Sequence, residues 1–255
     1  MLSKSEKRLI LTLRRPRGRS KEKLVLVEGI RTVDEALSAD IEVSFCVRSP
    51  KLCDTLRGKQ LAATLDDGSI KIRNVSDAEL DTISDTANSQ GVLLVCVEPR
   101  NGLSSFSVET TSTVLVIDGI QDPGNLGTLI RAARAFDISV VISLEGTVDF
   151  WNPKVVRASA GTIFHSHLFS ESWKNVTAWL QEHSITVLAA DIEGEDIAEF
   201  HVQTPWALLV GNETKGVRPS TSEVPTRISI PMSSNVESLN AGVAGSTLLY
   251  LLANK

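Results

Sequence analysis

Short runs of aliphatic and β-branched residues alternate with helical patterns along most of this chain. The run TVLVIDGI (113–120) is a predicted strand, and apolar residues recur at helical spacing after it. This alternation is typical of an α/β fold, in which helices cover both faces of a mostly parallel sheet. Because ligands of such sheets bind at the carboxyl ends of the strands, the loops there are the first places to look for a site.

The chain is predicted to form two domains joined by a linker. Residues 99–112 lack apolar periodicity and concentrate Pro, Gly, Ser and Thr, which is typical of a linker. We therefore predict a basic extension over 1–20, a small α/β domain over 21–98 and a larger α/β domain over 113–255. With 255 residues and 42% hydrophobic content, the chain can bury a core in each domain.

Strands and helices are assigned from apolar spacing and from helix-capping residues. Ser49 with Pro50 predicts one helix over 49–65, and a Ser76/Glu79 capping box predicts a second. The other predicted strands are 24–29, 41–49, 70–75, 90–99, 138–145, 185–191, 205–213 and 226–232, and the other helices are 30–39, 152–160, 173–183 and 238–252.

Residues 1–23 are strongly basic although the whole chain is acidic. They carry nine basic and two acidic side chains, whereas the net charge of the chain is −5. A basic segment suits contact with a polyanion, because neutralising phosphates supplies most sequence-independent affinity for nucleic acid. The charge alone fits a solvated or frayed terminus equally well.

Several classes of protein are excluded by patterns that the sequence lacks. Its apolar runs are far shorter than the roughly 20 residues of a membrane helix, and its first residues do not form a secretory signal. The glycine-rich nucleotide motifs and the nucleophile elbow of hydrolases are absent. Three cysteines without metal-binding spacing predict a reduced, cytoplasmic protein.

His165 and His167 lie two residues apart in GTIFHSHLF, which in a strand puts them on one face. A metal site would need a third ligand that the sequence does not indicate. Packing or contact with RNA is therefore the favoured interpretation, and no metal is expected.

The segment IDGIQDPGNLGTLIRAARAFD (117–137) joins a strand to an arginine-bearing helix. Its proline and glycines let the backbone turn sharply, and Asn125 is predicted to cap a helix that begins at Leu126. Arg131 and Arg134 are three apart and share a face away from the apolar stripe. Taken alone, these features describe a capped amphipathic helix with solvated arginines.

Three stretches in order resemble the three motifs of the SpoU/TrmH class of RNA ribose methyltransferases, in the SPOUT superfamily. They are VIDGIQDPGNLGTLIRAARAFD, LLVGNETKGV and ISIPMSSNVESLNAGVA. NPKVVRASAGTIFH extends the similarity, and the amino-terminal half is similar to the substrate-binding domain that often precedes the catalytic one. The resemblance implies a SPOUT-type parallel sheet with a carboxyl-terminal trefoil knot, preceded by a small α/β substrate-binding domain.

The resemblance also implies S-adenosyl-L-methionine as the cofactor, held in the knot by the loops after the last strands. The residues at the matching positions are Leu209, Gly211, Gly216, Ile230, Met232 and Leu239. Small or apolar side chains there would let backbone groups read adenine and ribose. The competing interpretation is that these residues are ordinary strand ends.

Five polar residues at the family's catalytic positions imply methyl transfer to a ribose 2′-hydroxyl. They are Asn125, Arg131, Glu213, Ser238 and Asn240. Arg131 would contact the ribose hydroxyl or the adjoining phosphate, either as the base or as a clamp that steadies a forming alkoxide. We favour the clamp, because a guanidinium keeps its proton in proteins.

Ribosomal RNA, rather than transfer RNA, is the expected substrate. The candidate RNA contacts are Arg14, Arg15, Arg17, Arg134, Lys154 and Arg157. The family's use of the last helix implies a homodimer, although tight packing within one subunit is a competing account of its small residues. The alternatives are a tRNA ribose methyltransferase, a catalytically silent RNA-binding or ribosome-assembly protein, and a base methyltransferase.

Overall fold

The computed structural model describes residues 2–100, 102–212, 216–218, 224, 226–233 and 235–255. Its strands are β1 Leu24–Glu28, β2 Val43–Arg48, β3 Ile72–Asn74, β4 Val92–Val97, β5 Thr113–Ile117, β6 Val140–Leu144, β7 Leu168–Glu171, β8 Thr186–Asp196, β9 Trp206–Val210 and β10 Thr226–Ser229. Its α-helices are α1 Lys4–Leu13, α2 Pro16–Glu22, α3 Ile30–Ser38, α4 Leu56–Asp67, α5 Asp77–Ile83, α6 Pro123–Ala135, α7 Pro153–Ala158, α8 Trp173–Glu182 and α9 Ala241–Ala253. No helix in these ranges is long and apolar enough to cross a membrane.

The chain forms two compact units that do not follow the linear order of the sequence. The first unit consists of Met1–Arg100 and Asp149–Phe164, and the second of Asn101–Val148 and His165–Lys255. The sequence assigns 149–164 to the larger domain, whereas the structure packs this segment, with α7 against β1, in the first unit.

The first unit contains a mixed four-stranded sheet in the order β1–β4–β2–β3. Strand β4 is antiparallel to both β1 and β2, and β3 is parallel to β2. The central position of β4 explains its nearly continuous burial, which its sequence VLLVCV predicts.

The basic residues predicted as an extension form α1 and α2 and belong to this unit. A capping box starts α1: the Ser3 hydroxyl accepts from the backbone N–H of Glu6, and the Ser3 N–H donates to the Glu6 carboxylate. Ile10 and Leu13 are fully buried in the core of the unit. The alternative of a frayed terminus is therefore wrong.

The single helix predicted over 49–65 is wrong, because it is interrupted. Pro50–Asp54 form a 3-10 helix, and α4 follows it. Thr55 has extended backbone angles, and its hydroxyl accepts from the N–H of Gly58 at 3.0 Å, so Thr55 caps α4. Serine and threonine are both good capping residues, so the local pattern could not choose between Ser49 and Thr55.

The second unit is built on a six-stranded parallel sheet in the order β10–β8–β9–β5–β6–β7. Val114 and Val116 of β5 face a core that includes Trp179 of α8. Val210 of β9 pairs with Ile117, so its side chain points to the other face of the sheet, where it packs against Gly245 of α9. Helices thus cover both faces of the sheet, as predicted, and all six strands end at the same edge.

The prediction that His165 and His167 share a strand face is wrong. His165 ends a short 3-10 helix, and β7 begins only at Leu168. The His167 ring packs edge-on against Phe106, with the ring centroids 5.3 Å apart. Across the described ranges, no three His, Cys, Asp or Glu side chains are grouped as metal ligands.

Candidate active site

Helix α6 begins beyond the carboxyl end of β5 and three residues earlier than predicted. Asp122 is its cap, and the carboxylate accepts from the N–H of Asn125 at 2.9 Å. The prediction that Asn125 caps a helix from Leu126 is therefore wrong. An acid followed by a proline is a preferred helix start, and this signal in DPGN identifies the true cap.

The start of α9 meets the start of α6. Asn240 caps α9, and its side-chain oxygen accepts from the N–H of Val243 at 3.2 Å. A Cβ at Gly242 would lie 3.2 Å from the Oδ1 atoms of both Asn125 and Asn240. The absence of a side chain at Gly242 therefore lets polar groups of the first and third motifs converge.

Gly245 explains why α9 has small residues. A Cβ there would lie 2.5 Å from a methyl carbon of Leu129 and 3.3 Å from one of Val210. Close packing within one chain, the alternative that the sequence left open, therefore accounts for this glycine. Val243 and Tyr250 of the same helix remain about half exposed, at 51% and 52%.

A cavity of about 460 Å³ opens at the carboxyl edge of the second unit. The middle of β8 (190–193), the carboxyl ends of β9 and β10, the segments that follow these two strands and the first turns of α9 form its wall. Six predicted site residues line it: Gly211, Gly216, Ile230, Met232, Ser238 and Leu239. Bare backbone, apolar side chains and a few polar groups are the usual composition of a small-molecule pocket.

The turn after β9 brings backbone groups to this wall. Asn212 and Gly216 exchange two backbone hydrogen bonds, of 3.0 and 2.9 Å. A Cβ at Gly211 would lie 2.4 Å from the carbonyl carbon of Gly216, whose φ is +63°. Both positions therefore require glycine. Glu213, predicted to be catalytic, lies outside the described residues.

Leu209 is the one predicted cofactor-binding residue whose side chain does not line the described wall. It is fully buried in the core, whereas the next residue, Val210, lines the cavity. Successive side chains of a strand point to opposite faces, so the side chain of Val210, and not that of Leu209, faces the cavity. Cofactor contact through the backbone of Leu209 stays a prediction.

Three charged residues of the wall, Asp191, Glu193 and Arg227, were not predicted from the sequence. Asp191 of β8 and Arg227 of β10 line the cavity and form an ion pair. Asp191 ends the predicted strand ITVLAAD, and an acid at the carboxyl end of a strand is the signal that could have identified it. Arg227 could not be identified in this way. It reaches Asp191 through the pairing of β8 with β10, which no local sequence pattern predicts.

Arg131 and Arg134 are exposed on α6, as their spacing predicts. Neither arginine lines the described wall of the carboxyl-edge cavity, and among the predicted catalytic residues in the described ranges only Ser238 does. The structure thus brings together the cofactor-binding candidates, and it places Arg131 on the solvent side of the helix that begins beside them.

The candidate RNA contacts in the first unit fall into two groups. Arg15, Arg17 and Lys154 are exposed. Arg14 is half-buried and donates to the carbonyl oxygen of Ser84.

Arg157, like Arg14, is bound to groups of the protein, because carboxylates lie next to its guanidinium. Its distance to Asp85 is 2.8 Å, and its distance to the buried Glu28 is 3.9 Å. The exposed residues are therefore better placed to meet RNA phosphates.

A second cavity, of about 350 Å³, lies at the amino-terminal edge of the same sheet. It is lined by Arg134 and two histidines but also by Glu109 and Asp137. This mixture of charges favours no class of ligand, and parallel sheets bind their ligands at the other edge. The carboxyl-edge cavity is therefore the candidate active site.

The second unit is thus an α/β domain with a cavity of small-molecule size at the carboxyl edge of its sheet, a place where many cofactor-dependent enzymes bind their ligands. The sequence profile of the SpoU rRNA Methylase family matches residues 112–250, and that of the MRM3-like substrate binding domain matches residues 7–94. This protein belongs to the SpoU rRNA methylase family, which confirms the resemblance seen in its three motifs.

Relatives and solved structures agree with this membership. The 23S rRNA (guanosine(2553)-2'-O)-methyltransferase RlmP of Bacillus subtilis is 30% identical over 239 residues, which cover 92% of this chain and 90% of that protein. The 23S rRNA (guanosine-2'-O-)-methyltransferase RlmB of Coxiella burnetii is 30% identical over 190 residues, covering 71% and 76%. The crystal structure of an RNA 2'-O ribose methyltransferase superposes with a TM-score of 0.86 at 27% identity, covering 100% of this chain and 97% of the other. The α/β fold class is confirmed, and the trefoil knot stays a prediction.

Proposed function

We propose that this protein transfers a methyl group from S-adenosyl-L-methionine to a ribose 2′-hydroxyl in ribosomal RNA. The observation that carries the proposal is the carboxyl-edge cavity, whose wall includes residues of the second and third motifs. RlmP and RlmB are both named as methyltransferases of a 23S rRNA guanosine, so a guanosine ribose in 23S rRNA is the first substrate to test.

The cavity suits this cofactor in size and chemistry. Its volume of about 460 Å³ lies within the roughly 300–1,000 Å³ of small-molecule pockets. Gly211 and Gly216 have no side chains to block the approach of adenine and ribose to the wall, while Ile230 and Met232 offer apolar contact. When bound, the cofactor would supply a methyl group activated by its sulfonium charge.

Arg131 is proposed to hold the target nucleotide. Its guanidinium stays protonated, so it is suited to grip the phosphate beside the target ribose by two hydrogen bonds. The same charge would stabilise the negative charge that develops on the 2′ oxygen. The hydroxyl proton then leaves to water or to a phosphate oxygen.

Four further residues are proposed to orient the reactants. Asn125 of the first motif and Asn240 of the third converge at Gly242, and Ser238 of the third motif lines the cavity. These three side chains therefore lie where the first and third motifs meet. Glu213 completes the set that the family resemblance implies.

The protein is further proposed to act as a homodimer in which a second copy completes the site. Arg131 is absent from the described wall of its own cavity. Helix α9, which lines that cavity, also exposes Val243 and Tyr250. Exposed apolar side chains next to an incomplete site suit a self-complementary interface. The trefoil knot of the carboxyl-terminal segment is part of the same proposal, supported by the contribution of this segment to the wall.

The first unit is proposed to capture RNA through phosphate contacts. Arg15, Arg17 and Lys154 are its exposed cationic candidates. Phosphate contacts give affinity that falls steeply with salt concentration.

A catalytically silent RNA-binding protein is the second candidate, favoured by the position of Arg131 outside the cavity wall. The test is to incubate the purified protein with S-adenosyl-L-methionine labelled on its methyl group and with ribosomal or transfer RNA from a strain that lacks the gene. We expect label on one ribose of 23S rRNA, located by mass spectrometry of nuclease fragments. Label in transfer RNA alone would overturn the assignment of ribosomal RNA as the substrate. Cofactor binding without transfer to either RNA would favour the catalytically silent RNA-binding protein.

A further inference from the structure

Asp118 and Arg218 form an ion pair beside the active-site cavity. Asp118 directly follows β5, and its side chain is fully buried. Arg218 holds both carboxylate oxygens: its Nε donates to Oδ1 at 2.5 Å, and its backbone N–H donates to Oδ2 at 2.8 Å. Such a two-point contact determines the position of the backbone at Arg218 as well as that of its side chain.

Further hydrogen bonds join the same loops. The Asn212 side-chain amide donates to the carbonyl oxygen of Gly119 at 3.1 Å. The Thr147 hydroxyl donates to the carbonyl oxygen of Ile117 and accepts from the N–H of Gly119, both at 3.0 Å. The loops that follow β5, β6 and β9 are therefore connected through the two residues after β5.

The ion pair itself stands behind the cavity wall. Gly216 and Val217 line the cavity, and the next residue is Arg218, whereas Asp118 does not reach the described lining. Because the backbone N–H of Arg218 is bound to a buried carboxylate, the position of the two preceding residues depends on Asp118. Asp118 also lies four residues before Asp122, the cap of α6, which carries Arg131.

We propose that Asp118 and Arg218 are positioning residues that fix the Gly216–Val217 wall of the cofactor cavity relative to the start of α6. The pair sets the geometry of both reactant sites without touching either reactant. This inference rests on the proposed function, since it assumes that the cofactor occupies this cavity.

The test compares cofactor affinity with stability in the full-length protein. The probe is S-adenosylhomocysteine, measured by calorimetry, and stability is measured by urea unfolding. Arg218→Met is expected to raise the Kd about tenfold, which corresponds to about 1.4 kcal/mol. Lys174→Met, an exposed change on α8, is the matched control and should keep the wild-type Kd.

A double variant separates positioning from charge balance. Asp118→Asn with Arg218→Met removes both charges, so it should recover much of the stability that Arg218→Met loses. If the pair positions the wall, the double variant still binds the probe about tenfold more weakly than wild type. Recovery of wild-type affinity together with stability would overturn the inference, as would an unchanged Kd in Arg218→Met. Should Arg218→Met fail to fold, the double variant decides alone. A wild-type protein that does not bind the probe would instead reject the proposed function.

Discussion

The two units each contain an ion pair between an arginine and an aspartate distant in sequence, but the buried partner differs. In the first unit the Arg19 side chain is 2% exposed and that of Asp149 is 38% exposed. In the second unit Asp118 is 0% exposed and Arg218 is 36% exposed. The first pair anchors the segment that leads into α7, whereas the second stands behind a cavity wall. The same interaction therefore maintains a fold in one unit and a site in the other.

The largest effect is expected for a residue that belongs to neither ion pair and should affect catalysis but not stability. Arg131→Ala should lower methyl transfer by about 10²-fold, because it removes a charge that stabilises the developing oxyanion. Arg131 is exposed, so the free energy of unfolding should change by no more than about 0.5 kcal/mol. Single-turnover transfer to ribosomal RNA and urea unfolding measure the two effects. Undiminished transfer would remove Arg131 from the site, and a large loss of stability would place it with the residues that maintain the fold.

The buried partner should decide which substitution in the first unit is costly. Asp149→Asn leaves Arg19 buried without its counter-charge and should cost about 2 kcal/mol, less than the largest such losses because Asp149 is partly exposed. Arg19→Met removes the buried charge and should cost about 1 kcal/mol. Urea unfolding of the full-length protein gives both values, and the reverse order would refute the comparison. Cofactor affinity should stay at the wild-type value in both variants.

A smaller effect is expected on the salt dependence of RNA binding when exposed arginines of the first unit are replaced. Replacing both Arg15 and Arg17 with alanine should reduce the slope of log Kd against log salt by about two, if each contacts one phosphate. Fluorescence titration with ribosomal RNA fragments at several salt concentrations measures this slope. Lys59→Ala, an exposed change in the same unit, should leave the slope unchanged. A slope that does not change in the double variant would show that Arg15 and Arg17 do not contact RNA phosphates.

The smallest effect concerns the partly buried ion pair between Glu6 and Arg73 in the first unit. Hydrogen bonds from Arg73 and from the Ser3 backbone lower the pKa of Glu6 from 4.5 to about 2. A carboxyl whose pKa is lowered by folding stabilises the protein above pH 4.5, and this contribution is lost as the pH falls towards 2. Glu6→Gln should therefore cost about 1 kcal/mol at pH 7. Urea unfolding of both proteins at several pH values should show this difference shrinking below pH 4.5, and a constant difference would contradict the assignment.

Strands of both sheets could be predicted where the sequence of a single strand shows by itself that the strand is buried. The continuous apolar runs of β4, β5 and β9 indicate buried strands, and the loops after β9 and β10 contain the glycines and apolar residues that line the cavity. Helix starts were harder to place, because residue type alone does not choose between Asp122 and Asn125, or between Ser49 and Thr55. A following proline marks the start of α6 but not that of α4. Hydrogen bonds made in the folded chain choose between them.

Periodicity therefore predicted the α/β class and the edge of the sheet at which the cavity lies, and the three motifs predicted six of the residues that line this cavity. Only the tertiary structure placed 149–164 in the first unit, paired Arg19 with Asp149 and Asp118 with Arg218, and brought Asp191 to the cavity. The physical reason is the range of the interactions. Backbone turns and strand burial depend on neighbouring residues, whereas these ion pairs join positions at least 100 residues apart, which meet only when the sheets have formed.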